Sequence, residues 1–146
     1  LTTANWRSSI KEKGEIEMRK IKFRGKSVHY SDVWRYGNLI INEDGSNGIT
    51  DGAKSYGYSI LTSEVIPETV GQYTGLKDKN GVEIYEGDVM NWDSHWGWYV
   101  GYENGAFRRI PLNDIQRMNW RHHTLQQEGL DTWEIIGNIH DNPELI

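Results

Sequence analysis

A chain of 146 residues and 16.9 kDa suits one ordinary domain that needs no covalent staple to fold. It has no Cys, which excludes a disulfide scaffold, a Cys-ligated zinc site and thiol chemistry, and fits a reducing cytoplasm; a mean hydropathy of −0.73 and no long apolar run exclude a membrane-spanning helix. The net charge of −5 is uneven, with eight Lys/Arg against three Glu over residues 1–26 and eight against eighteen Asp/Glu thereafter, so the body repels a phosphate backbone and only the N-terminal segment attracts one.

Residues 1–17 read as an N-terminal extension with weak periodicity, its apolar anchors Leu1, Trp6, Ile10 and Ile16 with Ala4 a minor one. Two readings stand for it. Lys13-Gly14-Glu15 is encodable by AAA-GGA-GAA, which contains the GGAG of a bacterial ribosome-binding site just ahead of the Met18 codon, so the stretch reads as untranslated leader. The other reading is a flexible arm with a short helix over 9–17. The β domain is expected over 18–146, whichever of Leu1 and Met18 marks the true start. From Met18, Ile21 and Phe23 alternate with Lys20, Lys22 and Arg24, which predicts a half-buried strand closed by Gly25.

Residues 33–41 read as a second strand, and Asn42 to Ala53 as a Gly/Asn/Asp loop. Strands are expected over 56–61 and 69–73, the latter after Pro67. Lys77 to Gly81 has turn chemistry, because Asn-Gly tolerates positive φ. Residues 84–90 enter another strand through a tight bend at Gly87. Asn104-Gly105, between runs 96–103 and 106–110, is the strongest hairpin signal in the chain. Leu112 to Gln127 has room for one or two helical turns, and 133–139 is a last strand ended by Asp141-Asn142-Pro143. Short strands punctuated by turns argue a mainly β fold with little helix, in a small barrel or strongly bent sheet.

Chemical signatures are sparse. Gly48 to Ser55 is similar to a phosphate-binding loop with Ala53 in place of its second Gly, but a strand-like run follows where that loop needs a helix. Asp93-Ser94-His95 has triad residue types, yet neighbours on a strand point to opposite faces. His29, His95, His122, His123 and His140 lack metal-ligand spacing, and Asp78-Lys79-Asn80-Gly81 places its Gly too early for a calcium loop. No catalytic residue, metal ligand or cofactor is expected.

The aromatic set, seven Trp and eight Tyr against two Phe, favours half-wet surfaces, since Trp and Tyr carry polar handles. Trp96, Trp98, Val100 and Tyr102 share one face by period two, with Trp92 nearby, Tyr102 across the turn from Phe107, and Tyr99 on the opposite face. That face is either the core or an aromatic platform edged by Arg108 and Arg109. Trp92, Trp96, Trp98, Tyr99, Tyr102, Arg108 and Arg109 are therefore the candidate binding residues.

Three motifs carry a family resemblance. Met18-Arg19-Lys20-Ile21-Lys22-Phe23-Arg24-Gly25-Lys26 opens the pattern, Pro67 through Val89 forms its centre with Gly71-Gln72-Tyr73-Thr74-Gly75 and Tyr85-Glu86-Gly87-Asp88, and Ile136 through Leu145 closes it. In that order they resemble the YopX-like proteins of phages and prophages. The resemblance implies a mainly β protein with an SH3-like barrel in its C-terminal part, extra strands from the N-terminal part, and a bacterial host cytoplasm. It brings no assigned activity and no catalytic residue.

The expectation is a phage or prophage accessory protein, a non-enzymatic module that binds a host or phage protein or its own copies, because the acidic body disfavours nucleic acid. Open sheet edges would suit self-association or strand addition. The alternative is a nucleic-acid-binding SH3-like module that uses Lys20, Lys22, Arg24 and Lys26 with Arg108, Arg109 and the Trp-rich hairpin.

Overall fold

The computed structural model describes residues 18–51, 55–56, 59–60, 62–93, 96–112, 123–127 and 129–146, with the backbone alone at 55, 56, 59, 60, 92, 93 and 96. Its strands are β1 (Phe23–Lys26), β2 (Trp34–Ile41), β3 (Asn47–Thr50), β4 (Ser55–Tyr56), β5 (Ser59–Ile60), β6 (Ser63–Val65), β7 (Gly71–Lys77), β8 (Glu83–Tyr85), β9 (Asp88–Asp93), β10 (Trp96–Glu103), β11 (Ala106–Pro111) and β12 (Glu134–Asn138). All pairings are antiparallel. A six-stranded sheet runs β6-β3-β2-β1-β7-β8, a four-stranded sheet runs β11-β10-β9-β12, and β4 and β5 pair as a separate hairpin. Helix among the described residues is confined to 3₁₀ turns at Pro67–Thr69, Leu130–Thr132 and Pro143–Leu145.

The mainly β expectation holds, and the described strands do not close into a barrel. The six-stranded sheet curls instead. A bridge joins Ser27 to Val65, Val28 N–H donates to the Glu64 carbonyl (3.1 Å), and Ile66 N–H donates to the Lys26 carbonyl (2.9 Å), which ties β6 back to the end of β1.

Several elements follow local chemistry. Asn104 and Gly105 have φ of 51° and 77°, so both central residues adopt the positive φ that matches the twist of β10 and β11. The Asp78 turn is an Asx turn, since Asp78 Oδ1 accepts the N–H groups of Asn80 (2.8 Å) and Val82 (2.9 Å). The expected loop at 42–53 is shorter than its composition suggests. Asn47–Thr50 is β3, held between β2 and β6 by ladders on both sides. The expected strand over 56–61 is split, with β4 and β5 paired to each other across residues 57–58. Of the helical turns expected within 112–127, residues 113–122 lie outside the described residues. Over 123–125 the chain is extended along β11, with Arg109 N–H donating to the His123 carbonyl (3.0 Å) and Leu125 N–H to the Phe107 carbonyl (2.8 Å).

The core lies on the four-stranded sheet. Ile84, Met90, Trp98, Val100, Leu125 and Leu130 are buried together, with Leu76, Phe107, Trp133 and Ile135 packed around them. Each fully buried aliphatic side chain contributes about 1.5–3 kcal/mol. Trp98 meets Trp133 with ring centroids 5.1 Å apart. The sheet edges are largely occupied. β6 is met by 26–28 and β11 by 123–125, while on β12 Ile135 N–H donates to Asp78 Oδ2 (3.2 Å) and Asn138 N–H to Asn142 Oδ1 (3.3 Å). On these three edges strand addition, expected from open edges, has little free ladder.

Candidate functional site

The three sequence motifs meet at one junction between the two sheets. Arg24, from the first motif, ion-pairs with Asp88 of the second at 2.6 Å, and both side chains are more than nine-tenths buried. Arg24 Nη2 also donates to the Glu86 carbonyl (3.2 Å). Gly71, opposite Arg24 in the β1–β7 ladder, permits that approach, since a Cβ there would stand 2.6 Å from the Glu86 carbonyl oxygen. The Arg24 guanidinium lies 4.8 Å from the Trp34 ring centroid and 5.2 Å from that of Tyr85. In the third motif, Asp141 accepts from Lys26 Nζ (2.6 Å), Trp34 Nε1 (2.8 Å) and Asn138 Nδ2 (2.8 Å). Asn138 Oδ1 in turn accepts the N–H groups of His140 and Asp141.

The electrostatics are those of a clamp. Burial pushes the Asp88 carboxyl up, against the pull of Arg24 and of the Tyr85 N–H that donates to it (2.7 Å). At Asp141 the upward push of desolvation is outweighed by hydrogen bonds from Lys26, Asn138 and Trp34 and by the Lys26 charge, so its pKa falls to about 2. Burial, reinforced by the Arg24 charge and opposed by Asp141, pushes the His140 pKa down. A cleft of about 420 Å³ opens beside the pair, lined by Arg24, Tyr36, Tyr85, Asp88, Ile135 and Asn138 among others. Two pairs of its titratable groups are committed to each other, with Asp88 held by Arg24 and the Tyr85 hydroxyl donating to Glu83 (3.2 Å).

This junction corrects the reading of the basic segment. Lys22, Arg24 and Lys26 do not form a solvated stripe, because Lys22 pairs with Glu83, Arg24 with Asp88 and Lys26 with Asp141. Ile21, expected on the buried face, is 57% exposed, whereas Arg24 is 6% exposed. One signal for this was present in the sequence: Asp88 stands directly before the apolar Val89-Met90, and a charge inside a buried strand needs a partner.

The candidate binding residues are divided by the structure. Trp98 and Val100 are each 1% exposed, so the shared face is core at its centre and Trp98 is not a surface platform. Tyr102, two residues on, is 54% exposed. It pairs in register with Phe107, as expected, with an edge-to-face ring contact at 5.2 Å. Tyr99 is half-buried opposite Ile110. Arg108 folds back, its Nε donating to the Glu103 carbonyl (3.0 Å). Arg109 lies half-buried with its guanidinium 5.9 Å from the Trp98 ring centroid. The side chains of Trp92 and Trp96 lie outside what is described.

Beside the hairpin tip is a cleft of about 260 Å³ whose lining includes Arg19, Thr74, Leu76, Tyr102, Phe107 and Leu125. Leu76 and Leu125 were not expected here. They come from a β7 bulge and from the 123–125 segment, and neither has a local signal for the placement.

Of the loop at Gly48 to Ser55, residues 52–54 lie outside the described residues, and Ser55–Tyr56 and Ser59–Ile60 are short strands. Ser94 and His95 lie outside the described residues, as does His122. Among the described residues no three of His, Asp or Glu are grouped to hold a metal ion. Asp78 is buried with its carboxylate occupied by three backbone N–H groups.

The family model of the YopX protein matches residues 22–146. The chain belongs to the YopX family. All of the second and third motifs and the core of the first fall inside that match, so the Arg24–Asp88 and Lys26–Asp141 pairs are contacts between segments of the family domain. No curated protein matches the sequence. Among solved structures, protein EF1440 from Enterococcus faecalis is similar in fold, with a TM-score of 0.51 and 24% identity over 88% of this chain and 99% of that one.

Proposed function

We propose that this YopX-family chain is a non-enzymatic accessory protein of a phage or prophage that docks onto another protein in the host cytoplasm. The hairpin tip carries the reading. An exposed Tyr102, backed by Phe107, borders a cleft whose mixed lining includes Leu76 and Leu125, and exposed aromatic side chains are the commonest anchors of protein interfaces. Of Lys20, Lys22, Arg24 and Lys26, the last three are held by carboxylates, while Lys20 is exposed, which supports a protein partner over a polyanion.

The test is capture from bacterial host lysate by the full chain, with and without nuclease, beside the Tyr102→Ala variant. The expected result is one protein recovered after nuclease treatment by the wild type and lost by Tyr102→Ala. Recovery only with intact nucleic acid, or oligonucleotide binding that falls steeply with salt, would replace this reading by the nucleic-acid one. Recovery of nothing beyond further copies of the chain would replace the outside partner by self-association.

A further inference from the structure

A second concavity lies where β2, β3 and β6 curl back to the end of β1, far in sequence from the hairpin tip. It measures about 530 Å³, within the roughly 300–1,000 Å³ of small-molecule sites, and its walls are predominantly polar. Arg35 of β2 enters it from opposite Gly25 of β1. The Arg35 side chain makes no ion pair and no hydrogen bond among the described residues, and its Nε is buried without a partner. Arg24 and Arg109 also leave Nε unbonded, but Arg24 is held through its other nitrogens by Asp88 and Glu86, and Arg109 lies over Trp98. Arg35 is different, because no nitrogen of its guanidinium is bonded among the described residues, although the residue is only half-buried. A buried Nε is rarely left without a partner.

We propose that this cleft binds a small carboxylate-bearing ligand, with the carboxylate held in a bidentate fork by Arg35. The planar guanidinium matches a carboxylate in geometry and charge. Asn47, Thr62 and Ser63 supply neutral donors and acceptors around it. The charge of the walls selects a monoanion over phosphate. Asp44 lines the cleft with its carboxylate engaged by the N–H (2.9 Å) and hydroxyl (2.6 Å) of Ser46, and Glu64 lines it 3.8 Å from His29. Two carboxylates repel a dianion more than a single negative charge, and they favour a ligand that also brings a hydroxyl or ammonium donor. Tyr30, 61% exposed on the rim, offers an apolar face to the rest of the ligand.

The test is a chemical-shift titration of the isotope-labelled full chain with gluconate, glycine and acetyl-triglycine, with inorganic phosphate as the comparison. The expected result is saturable shifts confined to the cleft for at least one carboxylate, at lower concentration than for phosphate. Gluconate alone would identify a hydroxy acid, glycine a zwitterion, and acetyl-triglycine a peptide C-terminus. Arg35→Lys, which keeps the charge and loses the fork, should weaken binding by about tenfold. Thr62→Val, a milder change in the wall, should weaken it less and serves if Arg35→Lys unfolds. No saturable shift with any of the three carboxylates, tighter binding of phosphate, or an unchanged affinity in the variants would overturn the proposal.

Discussion

The motif junction and the hairpin tip are built from the same residue types, aromatic rings beside arginines, and put them to opposite use. At the junction Arg24 is enclosed by Trp34, Tyr85 and Asp88. At the tip, Tyr102 has a neighbouring ring on one side only and more than half of its surface in water. The difference teaches where substitution will register. Removing a member of the junction leaves a buried charge or a broken network, and so acts on stability. Removing Tyr102 exposes little that was dry, and so should act less on stability than on the proposed docking.

The largest effect is expected at the centre of the junction. Asp88→Ala should destabilise the fold by about 3–5 kcal/mol, because it strands the Arg24 charge away from water. Replacing both partners with Arg24→Met and Asp88→Leu should cost much less than Asp88→Ala alone. Urea unfolding of the single and double variants checks this. A single variant as stable as the wild type would mean that the junction is not a clamp.

A smaller effect is expected at the outer end of the same network. The Asp141 pKa is depressed to about 2 from 3.8, so its contribution is fully present above pH 4 and is lost as pH falls toward 2. Solvent reaches this side chain, which is 35% exposed, and the loss should therefore be about 1 kcal/mol. The wild type should lose its advantage over Asp141→Asn across that window in urea unfolding at stepped pH. A constant difference between the two would place the stabilisation in the shape of the network and not in its charge.

The smallest stability effect belongs to the tip. Tyr102→Ala should cost about 0.5–1.5 kcal/mol, the worth of its ring pair with Phe107, while abolishing capture of the partner. A variant that binds normally, or one that unfolds, would erase the contrast between the two regions.

The sequence by itself determined the local pieces of this fold. The β10–β11 hairpin and the Asp78 turn follow from residues that tolerate positive φ or bond their own backbone, and the Trp-rich strand follows from period-two alternation. Pairing and burial were decided by tertiary structure. Asn47–Thr50 has the composition of a loop, and it is a strand because β2 and β6 present ladders on both sides of it. Trp98 and Tyr102 lie on one alternating face with the same local pattern. One is core and the other exposed because the residues that cover Trp98, Trp133 among them, do not extend to the tip. Arg24 reads locally as part of a basic, solvated face. It is buried because Asp88, 64 positions later, supplies the opposite charge, and the energy of a buried ion depends on a partner that no sequence window of strand length contains.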